Sequence, residues 1–215
     1  MSIIDEIDGL DFRNCTFPLI DSNAFGGLKI RTLNFIHCRI RSEHKSYLNG
    51  LDYLTSLTLN FICYEREDEI LYKHYQTEED KFMMEMRFNQ VDRNSYLFRN
   101  LLDCNLKSLK KANLNNNKIR TITKRMFSDL LNLEELFLEE NEIDLIEDNS
   151  FNGLSKLRKL MLRKNQIRKI NEFTFKGLTG LVYLNLSDNP IYSTDKEAFS
   201  DFINAEIIRE IKNFI

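Results

Sequence analysis

Residues 133–156 read LEELFLEENEIDLIEDNSFNGLSK, and residues 157–180 follow directly with LRKLMLRKNQIRKINEFTFKGLTG. Laid over each other, the two strings align leucine on leucine, asparagine on asparagine and phenylalanine on phenylalanine. The frame extends outward on both sides. Leu109, Leu133, Leu157 and Leu181 recur at one constant interval, as do Asn117, Asn141, Asn165 and Asn189, and Phe127, Phe151, Phe175 and Phe199. A strict period of this length encodes a solenoid: one unit cannot bury its apolar face alone, and stacked units share a core.

Within a unit, Leu136 and Leu138 are spaced as in a short strand with one buried face. Asn141 falls where the chain must turn, and its amide can satisfy backbone groups that would otherwise be buried unpaired. Ile143, Ile146, Phe151 and Leu154 then point back inward. The pattern L-x-x-L-x-L-x-x-N-x-I, followed by an apolar residue, Phe and Leu, resembles the leucine-rich repeat. A 24-residue unit with Phe in its return segment is similar to the typical subclass, common on animal receptors, adhesion proteins and secreted immune proteins. The resemblance implies an α/β fold: a curved horseshoe with a parallel concave sheet of about eight short strands and a mostly irregular or 3₁₀ convex side.

Read backward, the pattern persists with more substitutions. Ile30, Leu33, Phe35, Cys38 and Ile40 fit it, as do Ile7, Leu10, Phe12, Cys15 and Phe17, with cysteine in the asparagine slot. Leu54, Leu57 and Leu59 open another copy, and Met83, Met86, Phe88 and Val91 are read as one more. Coils are therefore expected to start near residues 7, 30, 54, 83, 109, 133, 157 and 181 of one domain spanning 1–215. Residues 65–81 break the frame with seven acids against three bases. They are expected to form an excursion on the back of the solenoid, either a solvated helix or an acidic contact site. At the end, Ile203, Ile207, Ile208, Ile211 and Ile215 fit a cap helix over 203–215, or the start of a ninth coil.

Composition narrows function. A net charge of −3 with no basic face carries no nucleic-acid footprint. No apolar run reaches the ~20 residues of a membrane helix, and the first residues, MSIIDEIDGL, lack the apolar core of a secretion signal. The four cysteines have no C-x-x-C spacing, and no metal or cofactor is expected. Cys15 and Cys38 occupy equivalent slots of adjacent coils, as two buried thiols or as a disulfide. Asn14-Cys15-Thr16 and Asn185-Leu186-Ser187 are glycosylation sequons.

The period also orders the surface. Positions between the leucines face the concave side, and stacking sets residue i beside i+24. The rows Lys110–Glu134–Arg158, Lys111–Glu135–Lys159, Asn115–Glu139–Arg163 and Asn116–Glu140–Lys164–Asp188 each place an acidic strand between mostly basic or neutral ones. Such charges either pair across strands or form a docking patch. The central row reads Asp11, Asn34, Thr58, Arg87, Asn113, Phe137, Met161, Asn185. Phe137 and Met161 are apolar within it, with Tyr183 diagonally beyond. They are either ordinary surface residues or the anchor of a partner, with Glu139, Arg163, Arg158 and Lys159 in the rim.

These features imply a non-enzymatic protein-binding module with a concave recognition surface, serving extracellular recognition, adhesion or innate immunity. The alternative is an intracellular scaffold or regulatory subunit docked on an enzyme. Free thiols and the absence of cysteine-rich caps favour the second; the repeat subclass and the sequons favour the first. The repeats contain no nucleophile–base pair, phosphate loop or ligand cluster.

Overall fold

The computed structural model describes residues 7–17, 20, 24–41, 48, 50–60, 63–65, 106–124, 126–202 and 205–208. Their elements, in chain order, begin with β1 (Ile7–Arg13), β2 (Thr16–Phe17), β3 (Ile30–Ile36), β4 (Arg39–Arg41), β5 (Ser56–Asn60) and β6 (Cys63–Glu65). Then come β7 (Lys111–Asn113), β8 (Thr121–Ile122), β9 (Glu135–Phe137), β10 (Leu145–Ile146) and β11 (Lys159–Met161). The last are β12 (Lys169–Ile170), β13 (Tyr183–Asn185), β14 (Ser193–Thr194), a 3₁₀ turn (Lys196–Phe199) and β15 (Glu206–Ile208). One eight-stranded parallel sheet runs β1-β3-β5-β7-β9-β11-β13-β15. Smaller parallel sheets, β2-β4-β6, β8-β10 and β12-β14, stack the return segments.

The alternation read from the leucines is the alternation observed. Leu136, Leu160 and Leu184 are fully buried at the centres of β9, β11 and β13 and sit opposite one another in register. On the return side, Phe127, Phe151, Phe175 and Phe199 form a continuous stack with ring centroids 6.1 Å apart at each of three steps. Parallel strands lie only ~4.8 Å apart. The wider spacing on the phenylalanine side bends the stack, with the sheet on its concave face.

The asparagine ladder closes each turn. Asn141 Nδ2 donates to the carbonyls of Leu114 (3.0 Å), Leu138 (2.9 Å) and Glu139 (3.2 Å), while its Oδ1 accepts from the amides of Asn117 (2.9 Å) and Ile119 (3.0 Å). Asn165 and Asn189 repeat the scheme one and two coils on. The residue just before each ladder position, Asn116, Glu140, Lys164 or Asp188, has φ between 55° and 60°. Asn14 (54°) and His37 (53°) do the same before Cys15 and Cys38. These two cysteines are free thiols. Cys38 Sγ reaches the carbonyls of Phe12 (3.3 Å) and Ile36 (3.4 Å), the places an asparagine amide would reach, as a weaker donor.

Two expectations are corrected. The coil placed near residue 83 adds no strand to the sheet. β5 pairs directly with β7, Leu57 opposite Ala112 and Thr58 opposite Asn113. Asn117 donates to the carbonyl of Leu59 across a separation of 58 residues, where regular coils use 27. Arg87 and the rest of the coil expected near residue 83 lie outside the described residues. The eighth strand comes instead from the tail: Glu206–Ile208 is β15, paired with β13, and not helix. It matches the ninth-coil alternative. The proposed excursion 65–81, beyond Glu65, and residues 209–215 lie outside the described residues.

Candidate functional site

The concave face is built by the outward residues of β7, β9, β11 and β13, whose central positions, Ala112, Leu136, Leu160 and Leu184, point inward. In register, Lys111, Glu135, Lys159 and Tyr183 form one row. Asn113, Phe137, Met161 and Asn185 form the next, continued at the tail by position 208.

Most charges on this face are spent on one another. Lys110 meets Glu134 at 3.0 Å, Lys111 meets Glu135 at 3.2 Å and Lys164 meets Glu140 at 3.0 Å, each pair within its row. Arg163 leaves its row: its Nε donates to Asp188 at 2.8 Å rather than to Glu139. Glu139 instead accepts from Asn115 Nδ2 at 3.4 Å. Each pair is roughly half exposed, so its contribution is a few tenths of a kcal/mol to about 1 kcal/mol.

Lys159 and Arg158 differ from the rest. Neither has a carboxylate within ion-pair distance among the described residues. Glu135, the row neighbour of Lys159, is already held by Lys111. Lys159 Nζ rests over two rings, 5.2 Å from the Phe137 centroid and 5.6 Å from that of Tyr183. Lys111 Nζ covers Phe137 from the other side at 5.0 Å. Phe137, Met161 and Tyr183 are all half-buried, and Met161 sits beside Phe137 in register. Val182, 53 % exposed, extends the apolar surface next to Tyr183.

The row arithmetic thus brought Phe137, Met161, Tyr183, Lys159 and Arg158 together. It placed Glu139 and Arg163 on the neighbouring rows, where other partners engage them. It treated Lys111 and Lys159 only as charges and missed that they flank the Phe137 ring. It also passed over Val182, although the same period carried one unit on from Arg158 finds it.

The two sequons separate. Asn14 is exposed in a left-handed turn. Asn185 is 8 % exposed, and its Oδ1 accepts from the amide (3.0 Å) and hydroxyl (2.7 Å) of Ser187. The serine that completes the sequon thus holds the Asn185 side chain through its Oδ1. Among the described residues, no cluster of three or more His, Cys, Asp or Glu could hold a metal, and no helix is long and apolar enough to cross a membrane.

A family model described as "Leucine rich repeat" matches residues 107–167 and 155–204. Among solved structures, the chain is similar to the "Crystal structure of TLR13-ssRNA13 complex", with a TM-score of 0.66 and 23 % sequence identity. That match covers 96 % of this chain but 26 % of the other, so the chain spans about a quarter of its length. No curated protein sequence matches the chain. The sequence repeat, the asparagine ladder, the continuous parallel sheet and these matches agree: the chain has the leucine-rich-repeat fold, and residues 107–204 match the leucine-rich-repeat family model.

Proposed function

We propose that the chain is a non-enzymatic recognition module that binds a protein ligand at the centre of its concave sheet, in extracellular or endosomal recognition of the innate-immune kind. The observation that carries this is the Phe137–Met161–Tyr183 group. It is an apolar group on a face most of whose charges are paired with each other, and its neighbours Arg158 and Lys159 have no carboxylate partner among the described residues. Half-buried aromatic and Met side chains ringed by charge are the composition of a binding hot spot. The solved relative is in complex with single-stranded RNA by its title. A protein is favoured for this chain because an apolar group borders the two cations, and because Glu134, Glu135, Glu139, Glu140 and Asp188 interrupt the bases of this face, leaving no continuous basic track for a phosphate backbone.

The free thiols of Cys15 and Cys38 favour a second reading, an intracellular scaffold in a reducing compartment. Exposed Asn14 favours the first. The test of the binding site is the double substitution Phe137→Ala with Met161→Ala. Ligand affinity should fall at least about tenfold, with the melting temperature within about 2 °C of the parent. Unchanged affinity would exclude this surface.

A further inference from the structure

We infer that the concave patch takes an acidic polypeptide segment, one that sets a carboxylate on Lys159 and Arg158 beside an apolar side chain seated on Phe137 and Met161. This ligand chemistry rests on the concave-face reading above and goes further, because it assigns the sign of the ligand's charge and the residues that read it.

The charge pattern points this way. Across β7, β9, β11 and β13, four bases are matched to four carboxylates: Lys110 with Glu134, Lys111 with Glu135, Arg163 with Asp188, and Lys164 with Glu140. Glu139 has Asn115. The cations left over are adjacent in sequence, Arg158 and Lys159, and they border the apolar group. The Lys159 ammonium is held between the rings of Phe137 and Tyr183. Ring faces attract a cation but do not neutralise it. An arriving carboxylate would therefore meet a positioned, uncompensated charge, and placing the lysine has already cost its rotamer freedom.

The ligand's extent follows from the same map. The positive site is two residues wide and flanked by Glu134, Glu135 and Asp188. A single acidic side chain or a short acidic turn fits between these carboxylates. A polyanion extended across the strands would have to pass over the β9 carboxylates Glu134, Glu135, Glu139 and Glu140. Val182 and Tyr183, on the tail side of the two cations, give the segment a second apolar contact.

The test selects displayed random peptides on the immobilised full chain. Recovered peptides are then titrated against the parent, Lys159→Gln, Lys159→Arg and Phe137→Ala, with short single-stranded RNA as a competing probe. Thermal melts of each variant verify folding. Recovered peptides should pair Asp or Glu with Leu, Ile or Phe. Lys159→Gln should weaken them about fivefold or more, Lys159→Arg should retain most of the affinity, and added salt should weaken binding. Peptides that depend on Phe137 but show no carboxylate enrichment and no loss with Lys159→Gln would overturn the acidic-ligand inference and leave the concave site standing. Recovery of no peptide, or of peptides indifferent to Phe137→Ala, would overturn both. RNA binding that Lys159→Gln abolishes and peptides fail to match would overturn the inference in favour of a nucleic acid.

Discussion

Asn141 shows how much one side chain carries in a stacked coil. Its amide satisfies three carbonyls and two amides drawn from its own coil and the preceding one. Asn141→Ala leaves those groups buried without partners, at ~1–3 kcal/mol for each that water cannot reach. We expect a loss of about 3 kcal/mol or more in urea unfolding, against less than about 1 kcal/mol for Glu134→Gln in an exposed pair. Gly180 is a second sensitive point. A Cβ there would stand 2.3 Å from the Ser155 carbonyl, so Gly180→Ala must push two coils apart, and its melting temperature should fall by several degrees, about 1–3 kcal/mol of overpacking. At Asn14, expression through a secretory route should add one glycan, removable by amidase and abolished by Thr16→Ala. No glycan should appear at Asn185, and an unmodified Asn14 would favour the intracellular reading. The ladder asparagines were legible because they recur and because only an amide both donates and accepts there. The left-handed residue before each was not. Its occupants are Asn116, Glu140, Lys164 and Asp188, with no glycine among them. The backbone hydrogen bonds on either side impose the conformation, and the side chain leaves no mark in the sequence.

The elements repeat this division. The phenylalanine stack follows from the period alone, and the fully buried rings of Phe151 and Phe175 each contact the ring before and the ring after. Phe151→Ala should cost about 3–5 kcal/mol in denaturant unfolding. A much smaller loss would mean that the return side is loosely packed. No strand stands between β5 and β7, where the coil near residue 83 was expected. Met83, Met86 and Phe88 satisfy the strand pattern, but the ladder slot holds Val91, and an apolar side chain cannot cap the turn. The tail was ambiguous for a general reason: closely spaced isoleucines suit a helix face or a buried strand alike. Here the open edge of β13 decides, because it offers unpaired backbone groups to the segment that follows.

At the scale of the whole molecule, the repeat does two things. It builds a bent stack whose sheet is continuous through eight strands, and it lays side chains in rows that neutralise one another across coils. Surface charge is therefore a poor guide to the binding site. The site we propose rests on the departure from pairing at Arg158 and Lys159, beside Phe137, Met161 and Tyr183. The sequence revealed the members of that group through the period. It could not reveal which base each carboxylate chooses, since Glu135 stands between Lys111 and Lys159 and only packing selects one. The three proposed anchor side chains are also oxidisable, so hydroxyl-radical footprinting with mass spectrometry reads them directly. With a saturating ligand, oxidation of Phe137, Met161 and Tyr183 should fall severalfold, while Tyr53 and Tyr192, exposed elsewhere, should react as before. Undiminished oxidation of the three, with protection confined to Tyr53 or Tyr192, would contradict binding at the concave centre.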